Sequence, residues 1–235
     1  MKKMRVAVFG ASGRMGQEIA HLVSESSTMV PALGISKDGK APHFLKAGKK
    51  LDAKDFKEID VLIDFSSAEI FQSAVAFAIE NKIPLISGTT GISEKDFKVL
   101  KKAQESIPVL WAPNMSLGVA TLVKALEALT AISNYDFQIE ETHHRHKKDK
   151  PSGTALLLQQ KLESVVGRKL PDPLALRGGG VFGVHQVQIM GESETLTFEH
   201  RALNRRLFAE GALIAAQWLV KQKKGLYTLQ DVLKG

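Results

Sequence analysis

The sequence predicts an α/β fold: a Rossmann-type doubly wound parallel sheet, followed by a second α+β domain built on an open mixed sheet. Three observations lead to this prediction. A short β-branched run at residues 5–9 meets three evenly spaced glycines and then a periodic apolar segment. Strand-like and helix-like segments alternate from there to about residue 111, which is typical of a parallel sheet. Beyond residue 136 the pattern changes to alternating strands around short turns.

The alternation in the first part of the chain predicts individual elements. Strands are expected at 5–9, 29–35, 59–65, 83–87 and 108–111, and helices at 17–23, 69–81 and 93–105. In such a sheet the ligand binds at the carboxyl ends of the strands. Hydroxyl groups and free amides follow three of these ends, and we interpret them as nicotinamide contacts: Ser66, Gly88 to Thr90, and Ala112 to Met115.

The glycines at positions 10, 13 and 16 lie between the first strand and the first helix, which is the context of a dinucleotide-binding turn. There the backbone approaches a pyrophosphate that sits on the helix N-terminus. The spacing is G-x-x-G-x-x-G, so a plain glycine turn of another α/β protein stays an alternative. Arg14 within the turn favours phosphate, and a solvated arginine is the alternative.

The end of the second strand bears on the choice of cofactor. An acidic residue about 20 positions after the glycine turn usually binds the adenine ribose of NAD. Here the chain has Gly34, Ser36 and Lys37 instead, and Asp38 comes only later. This pattern indicates tolerance of a 2′-phosphate, hence NADPH, and the alternative is that Lys37 is an ordinary loop lysine.

Composition excludes several classes of protein. The chain has no cysteine, which excludes disulfides, thiolate metal sites and a thiol nucleophile. No apolar run is long enough to span a membrane, and Met1 to Arg5 lead into a strand without a signal-peptide core. We therefore expect a cytoplasmic protein. The net charge of +7 comes from basic residues spread along the chain, and aromatics make up 6%. This pattern favours attraction of small anions over nucleic-acid binding.

Residues 140–156 combine three histidines and several cations with the start of a helix. Pro151 ends the preceding segment, and Ser152 or Thr154 can cap a helix that runs to about residue 166. The small Gly153 leaves the N–H groups of the first turn accessible to a carboxylate or phosphate. The histidines could also bind a metal or decorate a basic surface. The flanking cations argue against a metal, and we predict none; a proton-transfer role for a histidine suits the segment better.

The remaining segments define the second domain. Ser116 is expected to cap a helix over 117–129, and strands are expected at 136–142, 181–190 and 194–199, with a loop at 177–180. A helix from about residue 207 returns the chain to the first domain, and Gly225 marks its stop. The predicted domains are therefore 1–114 with 207–235, for the dinucleotide, and 115–206, for substrate and oligomerisation. Open sheet edges of this kind commonly pair with another subunit.

With these features the sequence resembles the 4-hydroxy-tetrahydrodipicolinate reductases, also called dihydrodipicolinate reductases, of the diaminopimelate and lysine pathway. The resemblance covers nearly the whole chain, and the His-His-Arg-His-Lys signature is very specific. The matching motifs stand in the family's order: Gly10-Ala11-Ser12-Gly13-Arg14-Met15-Gly16, Asp64-Phe65-Ser66, Gly88-Thr89-Thr90-Gly91, Asn114-Met115-Ser116-Leu117-Gly118, and His143-His144-Arg145-His146-Lys147 followed by Pro151-Ser152-Gly153-Thr154-Ala155.

The resemblance implies a fold, an activity and roles for individual residues. The family reduces a cyclic imine-diacid with hydride from NADH or NADPH and is usually a homotetramer. His143 is then the catalytic acid/base, and Lys147 is a second proton donor that also binds substrate. The substrate carboxylates are expected at His144, Gly153, Thr154 and Arg205. The cofactor is expected at Gly10, Ala11, Ser12, Gly13, Arg14, Met15, Gly88, Thr89, Thr90, Ala112, Pro113, Asn114 and Met115, beside Ser36 and Lys37.

The sequence departs from the family at two places. Gly34 stands where many members carry the acidic ribose-binding residue, and the loops at 36–57 and 170–180 are expected to be short. Two rival functions remain to be weighed against the reductase. A semialdehyde or glyceraldehyde-phosphate type dehydrogenase needs a cysteine nucleophile, which this chain lacks. A non-catalytic NAD(P)-binding sensor would tolerate loss of His143 and Lys147, yet both are present.

Overall fold

The computed structural model describes residues 2–49 and 59–234. The chain divides into two compact units, one formed by residues 1–115 with 208–235 and the other by residues 116–207. These boundaries lie one residue after those predicted from the sequence. Residues 50–58, which include most of the loop expected to be short at 36–57, lie outside the described residues.

The first unit contains a seven-stranded parallel sheet. Its strands are β1 (Met4–Phe9), β2 (Met29–Ile35), β3 (Lys46–Gly48), β4 (Val61–Asp64), β5 (Leu85–Ser87), β6 (Pro108–Trp111) and β11 (Gly225–Tyr227). They lie in the order β11-β6-β5-β4-β1-β2-β3, and every neighbouring pair is parallel. The helices are α1 (Arg14–Glu25), α2 (Ala68–Asn81), α3 (Glu94–Ala103), α6 (Arg206–Leu219) and α7 (Leu229–Val232). The predicted doubly wound architecture is confirmed.

The central strands of this sheet are apolar because helices cover them. Val6, Val8 and Ile63 are fully buried, as expected for parallel strands that are enclosed on both faces. Phe71 of α2 and Leu100 of α3 pack with Ala7, Phe9 and Leu62, which alternate with these residues and point to the opposite face of the sheet. This rigid layer holds the loops that follow the strands at one edge of the sheet.

The second unit contains a four-stranded mixed sheet. Its strands are β7 (Asp136–His143), β8 (Leu174–Arg177), β9 (Gly183–Met190) and β10 (Thr195–Ala202), in the order β10-β9-β7-β8. β8 is parallel to β7, and the other two pairs are antiparallel. Helices α4 (Leu117–Ala125) and α5 (Gly153–Val166) pack on one face, and a 3-10 helix at Leu126–Ile132 continues α4. The predicted second α+β domain is therefore present.

The buried face of this sheet is apolar at one end of β7 and carries titratable side chains at the other end. Phe137, Ile139, Glu141 and His143 alternate on the buried side of β7. The first two pack against α4 and α5 in the apolar core, with Val187 and Ile189 of β9. The last two continue the same face with titratable groups. A polar cluster therefore lies at the end of the core, on rigid strands.

Several elements differ from the sequence prediction. Arg177 was expected in a loop, but it is the last residue of β8, which pairs with β7 at the sheet edge. Gly225 was expected to stop the helix that begins near residue 207, but that helix, α6, ends at Leu219 and Gly225 begins β11. β3, β8, β11 and α7 are all short, so a period could not be recognised in them. Among the described residues, no helix has the length and apolarity needed to cross a bilayer.

Candidate active site

The glycine turn between β1 and α1 brings backbone atoms unusually close together. Gly10 has φ +78°, and a Cβ there would lie 2.5 Å from the carbonyl oxygen of Phe65. A Cβ at Gly16 would lie 2.3 Å from the carbonyl oxygen of Gly10, so α1 packs directly on the turn. The residue before α1 is Gly13, which has no side chain to cap the helix. The first-turn N–H groups therefore remain suited to a phosphate.

A cavity of about 740 Å³ lies beside this turn and is large enough for part of a dinucleotide. Six residues predicted to contact the cofactor line it together: Gly10, Ser12, Gly13, Ser36, Lys37 and Ser66. The sequence did not point to Lys49, nor to Ile70 and Ser73, which lie on α2. The cavity, the open helix N-terminus and the close backbone approach fit the pyrophosphate and adenosine parts of NAD(P)H.

The two residues that were predicted to favour NADPH differ in their surroundings. Ser36 is 5% exposed, and its Oγ lies 2.8 Å from Asp38 Oδ1 and 2.8 Å from the Lys40 carbonyl oxygen. Its hydroxyl therefore holds the loop together. The Lys37 side chain is exposed at the cavity, as is that of Lys49. These two lysines supply the positive charge at this end of the cavity.

Asp64 organises the ends of β4 and β5. It is fully buried, and its Oδ1 accepts hydrogen bonds from Ser66 N at 3.0 Å and Ser66 Oγ at 2.6 Å. Its Oδ2 accepts from Ser87 Oγ and Thr89 Oγ1, both at 2.8 Å. One carboxylate thus joins two of the three loops predicted to contact the nicotinamide. The sequence prediction included the loops but missed Asp64 as their link.

The other predicted cofactor residues occupy varied positions in the first unit. Ala11, Ala112 and Met115 have buried side chains, so only their backbone groups can meet a ligand. Gly88 and Thr89 are also buried, and Trp111 Nε1 donates to the Thr89 carbonyl oxygen at 3.2 Å. Exposed or half-buried side chains are found at Arg14, Met15, Thr90, Pro113 and Asn114.

His143 lies at the end of β7 and is held by a carboxylate two residues earlier. Its Nδ1 is hydrogen-bonded to Glu141 Oε2, and the ring is 8% exposed. Burial lowers the pKa of His143 below its usual value, and the cations of Lys147 and Arg177 act in the same direction. Glu141 opposes this effect because its charge favours the imidazolium. A buried histidine paired with a carboxylate is suited to exchange a proton.

Glu141 is itself clamped by an arginine from the neighbouring strand. Arg177 Nη1 donates to Oε2 at 2.8 Å, and Nη2 donates to Oε1 at 2.6 Å. Burial raises the pKa of Glu141, but the hydrogen bonds from Arg177 and His143 outweigh burial and lower it. The carboxylate is therefore ionised in the folded protein. Neither residue was predicted for the site from the sequence, because their pairing depends on β8.

The helix N-terminus predicted at residues 151–154 is present and attached to the same carboxylate. Ser152 is the N-cap of α5, and its Oγ accepts from Ala155 N at 3.2 Å. Its own N–H donates to Glu141 Oε1 at 3.0 Å. Gly153 is exposed and Thr154 half-buried in the first turn. A Cβ at Gly153 would meet no atom within 4 Å, so the space beside this turn is open.

Two further histidines extend the polar cluster across the sheet. The His185 ring lies 5.1 Å from that of His143 and 6.4 Å from that of His200. His185 Nε2 lies 3.0 Å from Ser152 Oγ, and His200 Nε2 lies 3.2 Å from the Oγ of Ser116, the N-cap of α4. Burial, together with the charges of His143 and His200, lowers the pKa of His185 to about 4. Burial also lowers the pKa of His200. His185 and His200 were not predicted from the sequence, because they lie on different strands and share no periodic pattern.

The remaining predicted substrate residues lie in the loops of the second unit. Lys147 Nζ pairs with Asp149 at 2.9 Å, and its side chain is 23% exposed. The half-buried His144 ring lies 6.2 Å from that of His146. The guanidinium of Arg205 is half-buried and 5.9 Å from the ring centroid of Phe182, the residue before Gly183. Among the residues that the structure describes, no three His, Cys, Asp or Glu side chains are arranged to hold a metal ion.

Comparisons with known proteins cover both units. The family profile of the dihydrodipicolinate reductase N-terminus matches residues 4–115, and that of the C-terminus matches residues 118–233. A 4-hydroxy-tetrahydrodipicolinate reductase from Bdellovibrio bacteriovorus is 50% identical over 235 residues, which is 100% of this chain and 98% of the relative. An enzyme of the same name from Anaplasma marginale is 38% identical and covers 98% of this chain and 100% of the relative.

Solved structures with a similar fold include a dipicolinate-bound dihydrodipicolinate reductase from Paenisporosarcina sp. TG-14. Its TM-score is 0.80 at 22% identity, over 97% of this chain and 99% of that one. A myo-inositol 2-dehydrogenase from Lactobacillus plantarum has a TM-score of 0.62 at 11% identity, over 99% and 94% of the two chains. These two likenesses concern the fold. The two family profiles and the full-length relatives show that this chain belongs to the dihydrodipicolinate reductase family of oxidoreductases.

Proposed function

We propose that this protein reduces 4-hydroxy-tetrahydrodipicolinate to tetrahydrodipicolinate with NADH or NADPH, in diaminopimelate and lysine biosynthesis. Hydride and a proton are added to the substrate, and its 4-hydroxyl group leaves as water. The observation that carries the proposal is the buried Glu141, which holds the proton-exchanging His143 and the N-terminus of α5 together. A small anionic dicarboxylate that must accept a proton needs both groups. The names of the relatives support the same reaction.

The cofactor would be held by the first unit. Gly10 to Met15 and the N-terminus of α1 suit the pyrophosphate, and the loops at Gly88 to Thr90 and Ala112 to Met115 suit the nicotinamide end. When bound, the reduced nicotinamide supplies the hydride. Asp64 keeps two of these loops in place through its hydrogen bonds to Ser66 and Thr89.

The substrate would be held by the second unit. One carboxylate binds the first turn of α5 at Gly153 and Thr154, with His144 beside it, and Arg205 binds the other carboxylate. Lys147 stabilises the negative charge that develops on the ring as hydride adds. His143 then donates the proton that completes the reduction, and Glu141 stabilises its imidazolium.

We propose that NADPH is accepted because two lysines stand where an acid would exclude it. Lys37 and Lys49 are exposed beside the cavity, and Gly34 carries no charge. Replacing Lys37 by alanine should raise KM for NADPH about fivefold, equivalent to about 1 kcal/mol, while KM for NADH changes little. Equal changes with both cofactors would remove Lys37 from 2′-phosphate recognition.

We also propose that the protein acts in the cytoplasm as a homotetramer assembled through the second unit. The edge strand β8 supports this assembly, because Leu174 and Leu176 are 54% and 62% exposed there. Light scattering coupled to size-exclusion chromatography measures the assembly directly. A monomeric mass at micromolar concentration would refute the tetramer.

The function is tested by NADH and NADPH oxidation with substrate generated in place from pyruvate and aspartate semialdehyde by a synthase. We expect oxidation that depends on the synthase reaction. Cofactor binding without substrate-dependent oxidation would instead indicate a sensor that uses the same scaffold.

Two variants test the assigned roles. His143→Gln should lower kcat on the order of 100-fold with little change in KM, because it removes a proton donor. Arg205→Ala should raise the substrate KM about tenfold, because a charge-assisted contact to a carboxylate is lost. A normal kcat in the first variant, or a normal KM in the second, would contradict the corresponding role.

A further inference from the structure

Glu141 makes contacts that exceed what a buried structural carboxylate needs. It is 1% exposed and lies on the same face of β7 as His143. Its Oε2 accepts from His143 Nδ1 and from Arg177 Nη1, while its Oε1 accepts from Arg177 Nη2 and from Ser152 N. Each oxygen therefore accepts one hydrogen bond from Arg177 and one from a candidate functional group, which is His143 for Oε2 and the N-cap of α5 for Oε1.

Arg177 makes this carboxylate rigid. Its side chain is 6% exposed, and β8 aligns it in register with His143. Besides the fork to Glu141, Nη1 donates to the Leu176 carbonyl oxygen and Nη2 to that of Asp149, both at 2.6 Å. A planar guanidinium held at both Nη atoms leaves the carboxylate a single orientation.

This orientation determines which nitrogen of His143 can react. Because ionised Glu141 accepts only, Nδ1 must carry the hydrogen that joins them. The proton that the ring exchanges is then on Nε2. A Cβ at Gly183 would lie 3.0 Å from Nε2, so the absence of a side chain at Gly183 keeps that nitrogen uncovered.

The other oxygen of Glu141 acts on the helix N-terminus. By accepting from Ser152 N it sets the N-cap, whose Oγ in turn accepts from Ala155 N. The charge of Arg177 neutralises that of Glu141, so the first turn of α5 stays attractive to an anion. One carboxylate thus aligns the proton donor and the anion-binding turn with respect to each other.

We propose that Glu141, clamped by Arg177, is a positioning residue that sets the tautomer of His143 and the geometry of the α5 N-terminus at the same time. This inference rests on the proposed reductase function and deepens it. The charged and titratable groups that face His143 are Glu141 on β7, Lys147 in the following loop, Arg177 on β8 and His185 on β9.

Substitution of Glu141 should be visible in the pH profile. Its charge raises the pKa of His143 against the effects of burial, Lys147 and Arg177. In Glu141→Gln that support is lost, so His143 gives up its proton at lower pH. The alkaline limb of kcat should move to lower pH, and kcat at its optimum should fall on the order of 100-fold. The substrate KM should rise as well, because Ser152 is released.

Two variants separate the charge of Glu141 from its role in packing. Glu141→Asp keeps the charge, so the alkaline limb of its kcat profile should lie at the wild-type pH. Its kcat should stay below that of the wild type, because the shorter side chain changes the hydrogen-bond geometry. Glu140→Gln is the matched control, since it neutralises an acid at the adjacent position, whose side chain points to the opposite face of β7. The control should keep the wild-type profile. A Glu141→Gln profile with an unmoved limb and a normal kcat would overturn the proposal.

A measurement without turnover distinguishes this inference from the proposed function. Nitrogen NMR of the His143 ring should report a hydrogen on Nδ1 in the neutral wild type and loss of that preference in Glu141→Gln. If Glu141→Gln does not fold, Arg177→Lys replaces it, because it keeps the charge but breaks the fork. A neutral wild-type ring protonated on Nε2 would refute the positioning role. Absence of turnover with the expected tautomer would refute only the reductase proposal.

Discussion

The neutral state of His185 should make the second unit sensitive to acid. Its pKa is lowered from 6.5 to about 4, because the ring is 4% exposed and faces His143 and His200. Between these pH values the unfolded chain binds a proton that the folded chain does not. The contribution of His185 to the free energy of unfolding is therefore fully present above pH 6.5 and is lost as the pH falls toward 4. At 1.36 kcal/mol per pKa unit, the loss is on the order of 3 kcal/mol.

His143 and His200 add to this loss with the same sign, since their pKa values are also lowered in the folded state. The substitution His185→Gln tests the contribution of His185, because it keeps a polar group near Ser152 Oγ and removes the group that takes up a proton. At pH 7.5 His185→Gln should be less stable than the wild type, because glutamine does not fill the buried space of the His185 ring. Its stability should nevertheless fall less than that of the wild type as the pH is lowered to about 4.5.

The assay should follow the second unit alone, because both tryptophans, Trp111 and Trp218, lie in the first unit. Hydrogen exchange of the β9 peptide at several pH values, corrected for intrinsic rates, gives the free energy of opening locally. His43→Gln, at an exposed position in the first unit, is the matched control and should keep the wild-type dependence. A His185→Gln dependence as steep as that of the wild type would refute the reasoning.

Two further substitutions test the first unit. Gly16→Ala should raise KM for both cofactors at least about tenfold, because its Cβ would lie 2.3 Å from the Gly10 carbonyl oxygen and push α1 off the turn. Gly180→Ala, whose Cβ would meet no atom within 4 Å, should leave KM unchanged, and equal effects would contradict this argument. Asp64→Asn turns an amide toward hydroxyl donors, so the Tm should fall about 4–8 °C for a cost of about 2 kcal/mol. An unchanged Tm would mean that the loops do not depend on Asp64.

The sequence predicted the parts of the fold that carry a strong local period. β2 and β6 have the predicted bounds, because each is a continuous apolar run between turn residues. The family was also predicted correctly from its motifs. β8 was missed because its four residues, Leu174 to Arg177, carry no period, and the strand exists only through its pairing with β7.

The same physical reason explains what was missed in the site. The histidines, the lysines and the α5 N-terminus stand close together in sequence, so local chemistry indicated a proton-transfer histidine beside an anion-binding turn, and the family resemblance supplied the choice of His143 and Lys147. Glu141 and Arg177 are 36 residues apart and meet only across two paired strands. In the sequence, Glu141 is an acidic residue in a strand and Arg177 is a basic residue before three glycines. Residues in both settings are commonly exposed on the surface. Only tertiary structure makes them a buried ion pair.

The polar cluster of the second unit can be understood as a device for choosing where a proton resides. The His185 ring lies 5.1 Å from that of His143 and 6.4 Å from that of His200, so protonating all three would cost repulsion in a buried site. His185 and His200 are hydrogen-bonded to the N-cap serines of α5 and α4, where the positive helix ends disfavour an imidazolium. Of these three rings, His143 is the one whose nitrogen donates a hydrogen bond to Glu141. The carboxylate therefore directs the proton to the one ring that the proposed reaction needs charged, and the other two rings remain neutral hydrogen-bonding groups.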